Sequence, residues 1–186
     1  MKTLEIRRHG KNEGDQLTEV GISELQSLTL TTDPTAITDT FAGTAFKRTY
    51  QSLEVIKASH GIKPYREHSA CPALGNTEMF QKFLDLGFVE ARKELGNGRL
   101  AVRKVLGEEE YLRFQHELCE AIGELFAEMP DGSHGIIFAH SPIIEIIAER
   151  LRLEMECDLN PGEGILLTCE FQGEEFFPCW GFTIAR

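Results

Sequence analysis

The 186 residues, 41% hydrophobic and 26% charged, suit one compact domain over 1–186, with a continuous core and too little chain for a second. Nineteen Lys and Arg stand against 30 Asp and Glu, and the formal charge of −11 disfavours nucleic acid and anionic lipid as partners. No apolar run approaches the ~20 residues of a membrane span, and the opening MKTLEIRRHG lacks a secretory apolar stretch, so the expected setting is the cytoplasm.

The first expected strand is Thr3 to Arg7. A helix follows from Glu19, capped by Thr18, with Ile22, Leu25 and Leu28 on one face. A second strand over Thr40 to Ala45 leads into a helix from about Arg48 to Ala58, which buries Leu53 and Ile56 and stops near Gly61. A strand is expected around Ile62 to Arg66, one helical stretch from Asn76 to Leu95, and a long amphipathic helix from Glu108 to Met129 through Leu112, Leu118, Ile122 and Leu125. Gly96 to Ala101 formally satisfies GxGxxA but follows a helix rather than a strand, and reads as a turn. Gly135 to Ala139 is an apolar strand, and Pro142 to Leu151 a helix with proline at its first position. Two last strands, Gly164 to Phe171 and Glu175 to Ile184, join around Gln172-Gly173 as an edge hairpin. This alternation predicts an α/β fold, a three-layer αβα sandwich with a mostly parallel central sheet. The five cysteines, odd in number and without CxxC spacing, read as reduced thiols rather than disulfides or a zinc clip.

Three of these strand ends deliver ionisable groups: Arg7-Arg8-His9-Gly10-Lys11, then Lys47-Arg48, then His140-Ser141-Pro142. Loops beyond the C-terminal ends of parallel strands are where ligands collect, and cations gathered at one rim of an acidic protein mark an anion pocket. Guanidinium groups engage phosphate oxygens bidentately, which suits Arg8 and Arg48. A neutral imidazole can attack phosphorus directly and later leave, which suits His9. Gly10 would let the backbone approach the ligand, and His140 would donate to the equatorial oxygens in the transition state. Asn12 and Ser141, in the same two loops, are further candidates for phosphate contact. Arg7 reads as a solvated rim charge, and His60, His68, His116 and His134 as structural or exposed. The scheme calls for no metal and no cofactor.

Arg8-His9-Gly10 behind the first strand resembles the RHG signature of the histidine phosphatase superfamily, the phosphoglycerate mutase-like proteins. Leu17-Thr18-Glu19-Val20-Gly21 is similar to its LTxxG helix start, and Phe46-Lys47-Arg48-Thr49-Tyr50-Gln51-Ser52 to its LxRAxQT helix. Ile137-Phe138-Ala139-His140-Ser141-Pro142 resembles its late VxH segment. The resemblance implies a phosphoglycerate mutase-like fold, with His9 as nucleophile and Arg8, Arg48 and His140 completing the phosphate pocket. His-Ser-Pro in place of His-Gly-Gly, and only six residues between Gly10 and Leu17, look more like the small phosphohistidine-phosphatase branch than the mutases. The family's acid after the third strand has its expected counterpart in Glu78 as proton donor, at a helix start where an acid is also favoured by the macrodipole alone. The implied activity is that of a histidine acid phosphatase-type monoester hydrolase acting on a phosphorylated small molecule or a phosphoprotein, phosphohistidine included. A phosphoglycerate-mutase-type phosphoryl transferase and a catalytically silent phosphate-binding module are the alternatives.

Overall fold

The computed structural model describes residues 1–153, 155, 157–169 and, for the backbone, 181–185. The chain starts with β1 (Lys2–Arg8), a small hairpin of β2 (Asn12–Glu13) and β3 (Gln16–Leu17), and helix α1 (Glu19–Gln26). Next come β4 (Asp39–Phe41), α2 (Lys47–His60), β5 (Arg66–His68) and three short helices, α3 (Thr77–Asp85), α4 (Phe88–Leu95) and α5 (Gly98–Leu106). The long α6 (Glu108–Glu128), β6 (His134–Ala139), α7 (Ile143–Arg150), β7 (Gly164–Cys169) and β8 (Gly181–Ala185) complete the described elements.

The main sheet has the order β5-β4-β6-β1-β7-β8. The pairs β5/β4, β4/β6 and β6/β1 are parallel, while β7 and β8 run antiparallel on the far side of β1. Strand side chains alternate between faces, and β6 is apolar on both. Ile137 and Ala139 join Leu4, Ile6, Leu118, Ile122 and Ile146 in one core, whereas Ile136 and Phe138 join Leu25, Leu53 and Ile56 in the other. Helices therefore cover both faces, α1 and α2 on one and α6 and α7 on the other, which is the expected three-layer α/β sandwich. Among the described residues no helix is long and apolar enough to cross a membrane.

Arg7 is not a solvated rim charge. It is fully buried beneath α1, ion-paired with the equally buried Glu5, and its guanidinium donates to the carbonyls of Gly162 at 2.6 Å and Thr29 at 3.1 Å. An unpaired charge at that depth would cost several kcal/mol, so Glu5 and Arg7 belong together as structural partners.

Several boundaries move for local reasons. The helix expected from Asn76 to Leu95 divides at Gly87, whose φ of 88° ends α3 and starts α4. The turn expected at Gly96 to Ala101 is a cap followed by a new helix: Gly96, at φ 65°, closes α4, and the Asn97 side chain accepts from Leu100 N to open α5. The strand expected over Ile62 to Arg66 pairs only from Arg66 onward, Pro64 having no N–H to contribute. That over Thr40 to Ala45 ends at Phe41, and Gly43 at φ 84° turns the chain away. Leu112 points outward, 49% exposed, and the buried face of α6 passes instead through Tyr111, Gln115, Leu118, Ile122 and Leu125. Pro142 is the N-cap residue of α7 and not its first helical residue. The turn expected at Gln172-Gly173 lies outside the described residues.

Candidate active site

Strands β1 and β6 are parallel neighbours with Arg8 opposite Ala139, so both end at the same edge of the sheet. His9 and His140 are the next residues. His9 N donates to Ala139 O at 3.1 Å, and the two rings meet edge to face with centroids 5.0 Å apart. The first turn of α2 brings in Arg48. Its Nε donates to His9 Nε2 at 3.2 Å, and its Nη2 lies 3.4 Å from His140 Nδ1. Two imidazoles and one guanidinium thus converge from three separate segments.

Hydrogen bonding fixes the protons. His9 Nδ1 faces the carbonyl oxygen of its neighbour Gly10 at 2.8 Å, and a carbonyl only accepts, so Nδ1 carries the hydrogen and Nε2 keeps its lone pair. Burial, then the charges of Arg48 and Arg8, push the His9 pKa down to about 4, against the opposing bond to Gly10 O and the charge of Asp15. His140 places Nε2 2.8 Å from Thr44 Oγ1 and is driven lower, to about 2, by burial, His9, Arg48 and Arg8. Both rings are therefore neutral near pH 7.

Arg8 comes from the end of β1, with its backbone tied on both sides to the loop before β7: Arg8 N donates to Glu163 O at 2.8 Å, and Gly162 N to Arg8 O at 3.0 Å. Its guanidinium donates to Leu159 O, and its charge is felt at both histidines. Behind it lies Glu145 of α7, 2% exposed, which accepts from Leu159 N at 2.8 Å. Burial pushes the Glu145 carboxyl up, against the hydrogen bond from Leu159 N.

Aromatic rings wall one side. Phe46 and Phe80 both pack edge-on against His140, with centroids 5.0 Å and 5.1 Å away, and the Arg48 guanidinium stacks 4.2 Å above the Phe46 ring. Gly75 closes the back. A Cβ there would fall 2.4 Å from His140 Cδ2, and the φ of 153° also favours glycine.

The remaining candidates make other contacts. Glu78 is exposed on α3 and lines a groove with Lys82, Glu110 and Glu117 of the α3/α6 side; none of His9, Arg48 and His140 lines that groove. Asn12 donates to Gly14 O at 2.7 Å and so supports the turn of the β2–β3 hairpin, although it also borders a cleft with Arg8 and Lys11. The Ser141 hydroxyl is buried against Glu145. Lys11 is paired with Glu24 on the surface. Gly10 has a packing constraint of its own, because a Cβ would meet Leu25 Cδ1 at 2.8 Å and Gly21 O at 3.1 Å, and it borders the same cleft as Arg8.

Four contributors have no counterpart among the sequence-based candidates. Thr44 orients His140, and Ser52 Oγ accepts from Gly10 N at 3.1 Å while donating to Arg48 O at 2.8 Å. Gly75 makes room for the His140 ring, and Asp15 holds Arg48 with an Nη1–Oδ1 distance of 3.1 Å. Ser52 stood inside a recognised motif and could have been found there. Thr44, Gly75 and Asp15 are loop residues with no periodicity to single them out.

No protein-family model and no curated protein sequence matches the chain. Solved structures do. A phosphoglycerate mutase from Bacillus anthracis str. Sterne superposes with a TM-score of 0.55 at 14% identity, over 89% of this chain and 86% of that one. A mycobacterial hydrolase gives 0.59 at 16% identity, over 98% of this chain and 88% of that one. A mycobacterial glucosyl-3-phosphoglycerate phosphatase, solved as a complex with VO3, gives 0.57 at 14% identity, over 99% and 97%. At such identities the likeness is one of fold, and the fold of this chain is phosphoglycerate mutase-like.

Proposed function

We propose that the protein is a phosphatase of the histidine phosphatase superfamily that transfers a phosphoryl group to His9 and then to water. One observation carries the reading: the neutral His9 ring is anchored through Nδ1, and its Nε2 lone pair faces Arg48 and His140, accepting from Arg48 Nε a hydrogen bond that the oxygens of an arriving phosphate would take over. A nucleophile needs that lone pair, and a phosphate dianion needs the guanidinium beside it.

In the first step His9 Nε2 bonds to phosphorus, the phosphorus–oxygen ester bond breaks, and the alkoxide or phenoxide leaves and takes up a proton from solvent water. Nδ1–H stays on Gly10 O and stabilises the charge on the phosphorylated ring. Water then attacks phosphorus, the phosphorus–nitrogen bond breaks, and inorganic phosphate is released. Arg48 and Arg8 neutralise the equatorial oxygens, and His140 regains a proton as the dianion arrives and donates it as a hydrogen bond. Imidazole supplies the nucleophile and guanidinium the charge, so the chemistry calls for no metal. The substrate in this reading is a phosphorylated small molecule or a phosphoprotein in the cytoplasm, and because no carboxylate contacts His9 or His140 among the described residues, good leaving groups are favoured.

The test is turnover of p-nitrophenyl phosphate by wild type and His9→Ala. A loss of at least about a thousandfold is expected, together with an acid-labile, base-stable phosphoryl label on wild type alone. Wild-type turnover in His9→Ala would refute the mechanism. Interconversion of phosphoglycerates without release of phosphate would assign the protein to the mutases instead.

A further inference from the structure

The β2–β3 hairpin sets a carboxylate beside the phosphate-binding guanidinium, which at first sight opposes the job of that guanidinium. Asp15 is half-exposed, with its side chain at 48% of full exposure, and it makes three contacts, all with the start of α2. Oδ2 accepts from Lys47 N at 3.1 Å, Oδ1 accepts from Arg48 N at 3.4 Å, and Oδ1 also accepts from Arg48 Nη1 at 3.1 Å. Phe46, the N-cap residue of α2, makes no side-chain cap bond, so Asp15 supplies the missing acceptor from another part of the chain. The hairpin is tied to the same helix a turn later, where Leu17 N donates to Gln51 Oε1 at 3.0 Å.

The planar guanidinium has one side-on edge, Nε with Nη2, that is suited to bidentate binding of an oxyanion. That edge faces the two imidazoles: Nε points to His9 Nε2 and Nη2 to His140 Nδ1. Nη1 lies off that edge and is taken by Asp15, while the Phe46 ring lies 4.2 Å from the face of the group. Contacts at Nε, Nη1 and Nη2 and with the Phe46 ring restrain the guanidinium, and a donor held before the anion arrives loses less entropy in binding it.

We infer that Asp15 is a positioning residue for Arg48, holding its Nε–Nη2 edge toward the space between His9 and His140 so that it receives a tetrahedral oxyanion bidentately. This rests on the phosphatase reading and deepens it. Asp15 acts through Arg48 and not on the reacting atoms.

The experiment measures orthovanadate affinity, p-nitrophenyl phosphate kinetics and apo melting temperature for wild type, Asp15→Asn, Arg48→Ala and the double variant. Asp15→Asn keeps one acceptor oxygen for the start of α2, replaces the other with an NH2 donor, and loses the charge that grips Nη1. It is expected to weaken vanadate about tenfold and to lower kcat/KM about tenfold. Its melting temperature is expected to stay within about 2 °C of wild type. In the Arg48→Ala background the same change is expected to move vanadate affinity less than about twofold, because the group it positions is gone.

Three results would overturn the inference: vanadate affinity of Asp15→Asn within about twofold of wild type, an undiminished tenfold cost without Arg48, or a melting temperature more than about 5 °C lower, which would make the role structural. The phosphatase reading fails separately, through turnover by His9→Ala, and the vanadate measurements read Asp15 even then.

Discussion

The ends of β1 and β6 and the run of three short helices from α3 to α5 are held by different means. At the strand ends almost nothing is left to solvent: Leu4, Ile6, Ile136, Ile137, Phe138 and Ala139 are all 0% exposed, and the backbone beyond each strand is pinned to its neighbour, as in His9 N to Ala139 O. Across α3 to α5 the chain bends at Gly87 and Gly96, both at positive φ, and leaves Leu84, Leu86, Val89, Leu95 and Leu100 between 38% and 49% exposed. A strand buried on both faces cannot shift without exposing its core, whereas a covering helix needs only one apolar side. The protein therefore fixes its histidines on the rigid element and reaches them from the looser one through Phe80 of α3, with Gly75 at the junction just before that helix.

Breaking that junction has the largest expected effect. Gly75→Ala puts a methyl group where the His140 ring lies, and turnover of p-nitrophenyl phosphate should fall about a hundredfold, since displacing a catalytic group by about 1 Å costs that much. Turnover within threefold of wild type would show that the ring can move aside.

Acid should weaken the strand-end region next. The folded-state pKa of His9, about 4, lies below its ordinary 6.5, so between those values the unfolded chain binds more protons and stability falls as pH falls. From pH 6.5 to 5 the loss from His9 alone is about 2 kcal/mol, measurable by urea unfolding. His9→Asn should flatten that part of the profile, and an unchanged slope would count against a buried neutral ring. The smallest effect belongs to the cover: Leu86→Ser should shift unfolding by less than about 0.5 kcal/mol, and a larger loss would show that this surface is packed against something.

The parts of this molecule legible in the sequence are those governed by local chemistry. Thr18 caps α1 through Gly21 N, and Gly61 at φ 67° ends α2, as their residue types indicate. Alternation and apolar runs give β1 and β6 away. Arg48, a whole helix distant from either histidine in the chain, was nameable because residues 46–52 carry a pattern. Arg7 was misread because its charge says nothing about the Glu5 carboxylate two residues earlier on the same strand face. That Glu78 lines a groove with residues of α6 is likewise not legible from its place at a helix start.

Residue types and periodicity alone determined that the chain would make a layered α/β domain with cationic and imidazole groups after particular strands. Tertiary structure decided which of those groups meet. A meeting depends on strand order, on which β6 neighbours β1, and on loop residues such as Asp15, Thr44 and Gly75, whose partners are brought to them by the rest of the fold.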